Sequence, residues 1–412
     1  MKRGSIKVTH HPLLHSILFP RRVSAAASCV VLAAIATFIP ACRPPAVTTP
    51  STVFTTAPAT VRLVAHAQIP TGTTFAGREV GGLSGLAYDR AADLFYAVVD
   101  DPTSHPPARL LRFRWHPPAA PELVDWLPLA NDGGALPTAG ADLEGVARST
   151  TGELFVSSEG DVKGKIGPWV GDFDATGHLR RRLPLPRAFR LAKRHGTAHN
   201  QGFEALTLDA ANDNLIAGAE GPLAQDQPPP PGELARVRVL RWDLRAPAAP
   251  REWLYPIDPQ HASPVGEAKF GVAGLVDLLP FSPGGEARDG HLLALERSYV
   301  DGVGFAVKLF EASLAGADEV TGFDAVAGRL LRPAVKRRLA DFGALGVPIA
   351  NYEGMAWGPA GTDGAPLLIV ISDNNFNAPE GTNLAAFAIG ASALSPGGRA
   401  SSSSPSSPRT HR

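Results

Sequence analysis

Five times this chain repeats one short phrase: "GLSGLAYD" at Ser84, "DLEGVARS" at Glu144, "GFEALTLD" at Glu204, "GVAGLVDL" at Ala273 and "YEGMAWGP" at Glu353. The key positions stand 60, 60, 69 and 80 residues apart. A period of that size must be explained before any other pattern, because it means that one supersecondary unit is being reused. Each copy is followed by a second apolar run closed by an acid: "DLFYAVVDD" at Asp100, "ELFVSSEGD" at Glu159, "NLIAGAEGP" at Glu220, "HLLALERSY" at Glu296 and "LLIVISDNN" at Asp373. A third run follows in all five units and a fourth in the first four, each bounded by Gly, Pro, Asn or Asp. Four short strands per unit make one propeller blade.

The fifth unit lacks a fourth strand, and "VRLVAHAQI" from Val61 lacks a blade. Pairing the two would close the ring and remove its exposed sheet edges. The expected fold is therefore all-β: a β-propeller of five four-stranded blades, closed by the N-terminal strand, over residues 61–390. A sixth, degenerate blade within 186–200 or 221–270 stays open. Long helical periodicity is missing, and the 39 prolines and 42 glycines suit many short strands joined by loops.

The first strand of a propeller blade lines the central axis, so equivalent positions of successive blades converge there. Glu144, Glu204 and Glu353 are expected to meet, with Ser84 and Ala273 in the remaining two slots. Asp100, Glu159, Glu220, Glu296 and Asp373 are expected to ring one mouth. Carboxylates crowded in this way ionise fully only with cations nearby. Hard divalent cations, Ca²⁺ above all, take six to eight oxygen ligands of this kind. Asn200, Asn351, Asn374 and Asn375 add neutral oxygens beside the acids. Taken singly, each acid has a plain alternative as a solvated strand end or a bulge residue; the repetition favours a site.

Basic residues keep step as well. Arg109, Arg238 and Lys308 start third strands at matching positions, and Arg297 follows Glu296. Cations beside an acidic metal site suit a phosphate-bearing substrate; ion pairs within the blades are the equal alternative. The run from Arg180 to His195 is read first as a solvated loop, with an anionic ligand or surface as the second reading.

The ends read differently from the body. Lys2, Arg3, Lys7, Arg21 and Arg22 precede the apolar "AAASCVVLAAIATFIPAC", which reads as an export signal over residues 1–41. The tetrad ending in Cys42 reads as a lipobox, making Cys42 the expected lipidation site and the membrane a partner through that anchor. Residues 42–60 read as a Pro/Thr/Ala-rich tether and 391–412 as a disordered, serine-rich tail. The expected location is the periplasm or outer membrane of a bacterium. Both cysteines, Cys29 and Cys42, are used up in this reading, so no internal disulfide is expected. Removing the signal leaves 34 basic residues against 39 acidic, a balance that argues against a nucleic-acid binder. A monomer is expected.

Taken together, "GGLSGLAYD", "DLEGVA", "NQGFEALTLD", "LLALERSY", "NYEGMAWG" and "LIVISDNNF" resemble the phytase-like family, described as having esterase-like activity of phytase, from about Gly81 to Ile389. The resemblance implies a secreted β-propeller with calcium-dependent phosphoesterase activity on a small anionic substrate such as a phosphate ester. It carries the family's acids onto Glu144, Glu159, Glu204, Glu220, Glu296, Glu353 and Asp373. Classical β-propeller phytases have a "DDPA" signature and six blades, whereas this chain has "VVDDPTSHP" at Asp100 and Asp101.

On this reading metal is held by Asp100, Glu144, Glu159, Glu204, Glu220, Glu296, Glu353 and Asp373. Glu204, Glu353 and Arg297 are the expected catalytic residues, and Arg109, Arg238 and Lys308 the expected clamp on phosphate. The competing readings are a ligand-binding lipoprotein with a purely structural metal, a glycosidase using the axial glutamates, and a serine esterase at Ser84.

Overall fold

The computed structural model describes Phe54 and residues 58–390, apart from 102–106, 138–140, 247, 268, 283–288 and 378–379. The expected signal, Cys42, most of the tether and the tail lie outside the described residues.

The described chain forms five four-stranded antiparallel sheets with strands in sequential order, together with two small hairpins and two short 3-10 turns. Blade 1 is Leu83–Asp89, Leu94–Val99, Arg109–Arg114 and Glu122–Pro128. Blade 2 is Leu143–Arg148, Leu154–Ser158, Trp169–Phe173 and Leu179–Arg182. Blade 3 is Phe203–Leu208, Asn214–Ala219, Arg236–Asp243 and Arg251–Pro256. Blade 4 is Gly271–Pro280, His291–Val300, Gly304–Ser313 and Val335–Asp341. Blade 5 is Asn351–Ala360, Pro366–Asp373 and Thr382–Gly390.

The missing fourth strand of blade 5 is Thr60–Ile69, which pairs antiparallel with Thr382–Gly390, Thr60 opposite Gly390 and Ile69 opposite Thr382. The ring is thus a five-bladed propeller closed by its own N-terminal strand. Segment 186–200 holds a 3-10 turn and loops, and 221–270 holds the outer half of blade 3, so neither adds a sixth blade.

The hydrophobic core sits between neighbouring blades. Leu86, Phe95, Ile369 and Leu384 fill the space between blades 1 and 5, for example, while Val98, Leu110, Val146 and Val156 fill that between blades 1 and 2. This is what the alternating strands demand, since each blade is covered on both faces.

A bulge interrupts every innermost strand at the repeated phrase. The register skips between Leu83 and Leu86, Leu143 and Val146, Phe203 and Ala205, Leu275 and Asp277, and Tyr352 and Gly354. The extra residue turns the Ser84, Glu144, Glu204 and Glu353 positions out of the ladder. It also fixes the role of the small residue that follows. A Cβ on Gly145 would lie 2.6 Å from the Glu204 carbonyl oxygen, and one on Gly85 or Gly354 would strike the backbone at Glu144 or Ser84. Innermost strands of successive blades therefore touch at a waist on the axis. In blade 4 the same place is held by Asp277, whose carboxylate accepts from Met355 N at 2.7 Å and Leu278 N at 2.8 Å.

Candidate metal centre

The bulges define which residues are equivalent. The bulge slot holds Ser84, Glu144, Glu204, Val276 and Glu353. Blade 4 differs from the sequence alignment here, which put Ala273 in that slot. Just above it, the residue at the end of the second strand, or three before its end in blade 4, pairs with the residue two before the bulge. Those pairs are Asp100 with Gly82, Glu159 with Asp142, Glu220 with Gly202, Arg297 with Gly274 and Asp373 with Asn351. The fourth member of this ring is therefore Arg297 and not Glu296.

The mouth above the waist consequently gathers Asp100, Asp142, Glu144, Glu159, Glu204, Glu220, Glu353 and Asp373 around the guanidinium of Arg297. Glu144, Glu204 and Glu353 are only 7, 4 and 6 % exposed. One Arg297 nitrogen, Nη2, lies 2.9 Å from Glu353 Oε1, 3.3 Å from Glu220 Oε1 and 3.8 Å from Glu204 Oε1. Asn351 Nδ2 donates to Glu353 Oε1 at 2.8 Å, and Ser84 Oγ donates to Glu144 Oε2 at 2.7 Å. Glu159 Oε1 accepts from Gly202 N.

Several oxygens remain unused. Asp100 Oδ1, Glu159 Oε2, Glu204 Oε2, Glu220 Oε2 and Asn351 Oδ1 are buried and accept no hydrogen bond. Two trios, Asp100–Asp142–Glu144 and Glu144–Glu159–Glu204, each bring one carboxylate oxygen per residue within 4.8 Å of one another. Buried unpaired carboxylate oxygen is costly, and hard oxygens converging at this spacing fit a Ca²⁺-type cation.

The electrostatics agree. Burial pushes Asp100, Glu144, Glu159 and Glu204 well above the ordinary carboxylate range, and neighbouring negative charge adds to it: Asp142 on Asp100, Glu204 on Glu144, Glu220 on Glu159, Glu353 on Glu204. Burial raises Glu220 to about 7 against the moderating charge of Arg297. It raises Asp373 to about 8, with Glu353 contributing. Arg297 is held above its usual value because Glu220, Glu353, Glu204 and Glu144 outweigh the cost of its burial. Without a cation, then, this mouth holds protons at neutral pH.

The remaining expected residues lie elsewhere. Glu296 faces away from the axis, bonded to Tyr255 Oη at 2.7 Å, to Asp258 N at 2.9 Å and to Lys336. Arg109 pairs with buried Asp101 at 3.1 Å. Arg238 is fully buried between Asp226 and Glu252, both at 2.8 Å, and donates to the Phe323 carbonyl. Lys308 pairs with Asp258 at 3.0 Å. All three cations are thus held in ion pairs, the alternative that their place in the repeat left open. Asp142, absent from the expected set, belongs to the cluster. Its signal was in the phrase itself, since "DLEG" carries two acids flanking a strand residue.

A sequence model of the phytase-like family, described as esterase-like activity of phytase, matches residues 78–376. The chain belongs to this family. The matched segment of this phytase-like protein runs from the hairpin before blade 1 to the loop after Asp373, and so includes every acid of the mouth. No curated protein matches it. Among solved structures, a hypothetical protein from Leishmania major is similar at 9% identity over 79% of this chain and 90% of that chain, with a TM-score of 0.40. A gluconolactonase from Xanthomonas campestris is similar at 14% identity over 82% and 99%, with a TM-score of 0.34.

Proposed function

We propose that this phytase-like propeller is a calcium-dependent phosphoester hydrolase working at the carboxylate mouth of its axis. The observation that carries the reading is the set of buried oxygens of Glu159, Glu204, Glu220 and Asp100 that face the axis with no donor. In this reading Asp100, Asp142, Glu144, Glu159 and Glu204 hold the ion, which supplies positive charge to polarise a phosphoryl oxygen and to acidify a water. Glu353 and Glu220 fix the guanidinium of Arg297, which offers the site's own positive charge to an incoming anion. Asn351 holds Glu353 in place, and Ser84 does the same for Glu144. Ser84 serves as a donor to a carboxylate, so no protein nucleophile is invoked.

We further infer that the chain is exported and anchored through Cys42 in the periplasm or outer membrane, and that it acts as a monomer on a small phosphate ester. The second reading, a ligand-binding lipoprotein with a structural metal, draws support from Arg297, which already neutralises part of the cluster. Hydrolysis of a phosphomonoester and of phytate, with Ca²⁺ and with chelator, tests both. Calcium-dependent turnover lost in a Glu204→Gln/Glu353→Gln variant supports the hydrolase. No turnover, with calcium still raising the melting temperature, supports the binder.

A further inference from the structure

The described body is acidic overall, yet its basic residues are unevenly placed. Residues 58–390 hold 30 basic and 39 acidic side chains, and nine of the basic ones fall between Lys163 and Arg194, a stretch with only Asp172 and Asp174 as acids. On the other blades, cations of the outer strands find carboxylates: Arg251 with Glu319, Lys336 with Asp258, Arg337 with Glu311. On blade 2, Arg180 and Arg181 share Asp172, and Arg187 lies 3.8 Å from the half-exposed Asp324.

Two loops concentrate this charge. Residues 161–166 form a tight turn closed by reciprocal backbone bonds, Asp161 N to Ile166 O at 2.9 Å and Ile166 N to Asp161 O at 2.8 Å. Residues 192–195 form a second, Ala192 N to His195 O at 3.0 Å and the reverse at 3.1 Å, with His195 Nδ1 bonded to the Arg190 carbonyl at 2.7 Å. Both turns put a long cation in left-handed backbone, Lys165 at φ 61° and Arg194 at φ 58°. That conformation strains residues other than glycine, and such strain persists where surroundings or function impose it. The first turn, through Lys165, and the segment leading into the second, residues 185–191, together line a cavity of about 390 Å³ that brings Lys165, Arg187 and Arg190 together with Leu185, Phe189 and Leu191. Convergent cations beside a few apolar side chains suit a small anion, since charge-assisted bonds hold its oxygens.

We propose that this cavity on blade 2 binds a small organic anion, its phosphate or carboxylate held by Lys165, Arg187 and Arg190 and its apolar part laid on Leu185, Phe189 and Leu191. The site is separate from the acidic mouth and does not depend on that mouth being catalytic. Rigid loops leave little ordering to be done on binding, and arginine offers paired donors to either oxyanion.

The test is calorimetry at low ionic strength with chelator present, so that a cation at the mouth does not contribute. The probes are phenyl phosphate, benzoate and inorganic phosphate. At least one organic probe is expected to bind saturably and more tightly than inorganic phosphate; whichever organic probe is tighter names the headgroup. Lys165→Glu and Arg190→Glu are each expected to weaken it by about tenfold or more, since each removes a charge-assisted bond. Arg338→Glu, the same charge change on the exposed outer strand of blade 4, is expected to leave it within about twofold. Absence of saturable binding up to about 10 mM overturns the proposal. So does inorganic phosphate binding as tightly as both organic probes, or Arg338→Glu weakening binding as much as Arg190→Glu, which would reduce the effect to net charge. All three substitutions are on exposed side chains, and unchanged melting temperatures verify that the variants are folded.

Discussion

Replacing Arg297 by methionine keeps most of the side-chain volume and removes the cation at the centre of the mouth. Its guanidinium lies 2.9, 3.3 and 3.8 Å from Glu353, Glu220 and Glu204. At an effective dielectric of about 20, unit charges at such distances attract by roughly 4–6 kcal/mol each. The sum is not the cost, because deprived carboxylates take up protons and the arginine no longer has to be desolvated. The measured penalty for breaking a buried pair from one side is about 3–5 kcal/mol. For a body of this size that corresponds to a fall in melting temperature of roughly 4–7 °C at pH 7.5 in chelator.

Calcium should change the comparison. An ion that binds only the folded state stabilises it by about 2.7 kcal/mol at a hundred times its dissociation constant. With the guanidinium gone, the same acids should bind the ion more tightly, so added Ca²⁺ should raise the variant's melting temperature more than the parent's. Differential scanning fluorimetry across a Ca²⁺ titration reads both effects. A variant that loses less than about 1 kcal/mol in chelator, or that gains no more from Ca²⁺ than the parent does, would refute the electrostatic account of the mouth.

In chelator, stability should fall as pH rises from about 5 to 8. The unfolded chain releases carboxyl protons near pH 4, whereas folded Glu220 keeps its proton to about 7 and Asp373 to about 8. The folded state therefore binds more protons in that window, and unfolding becomes easier with pH; a melting temperature that rises or stays flat contradicts the burial argument, and excess Ca²⁺ should flatten the slope. Arg238→Leu should cost about 3–5 kcal/mol by stranding Asp226 and Glu252, while leaving phosphoester turnover per folded molecule unchanged; a selective rise in KM would return Arg238 to substrate binding. Gly145→Ala should destabilise by about 1–3 kcal/mol through overpacking at the waist, seen as a lower denaturation midpoint, and an unaffected midpoint would mean that the innermost strands separate easily.

The ring and its closure were legible in the sequence because the repeated phrase marks the bulge on each innermost strand, and a bulge recurs only where the backbone needs it. Glutamate and glycine in that phrase have separate duties: the first is turned toward the mouth, the second makes room for the next blade. Blade 4 was misread for a physical reason. Its second strand runs on through Ser298 to Val300, pairing with Gly271–Ala273, so the acid that closes the strand elsewhere has no counterpart at its end. Glu296 took that place in the alignment, and the true occupant, Arg297, was one residue away on the opposite face. Arg109, Arg238 and Lys308 were also in step with the repeat, but period alone does not say which side of a strand a residue faces. Their partners Asp101, Asp226 and Asp258 lie in connecting segments that the repeat does not cover.

The pairing of Thr60 with Gly390 has a geometric result for anything joined to this body. In blade 5 the innermost strand begins at the mouth with Asn351 and the third ends at Gly390, on the opposite side of the ring. The N-terminal strand enters at that same place. Both ends of the body thus form a single handle at the rear, so that a membrane anchor, a fused domain or an affinity tag attached there would leave the acidic mouth facing outward and unobstructed.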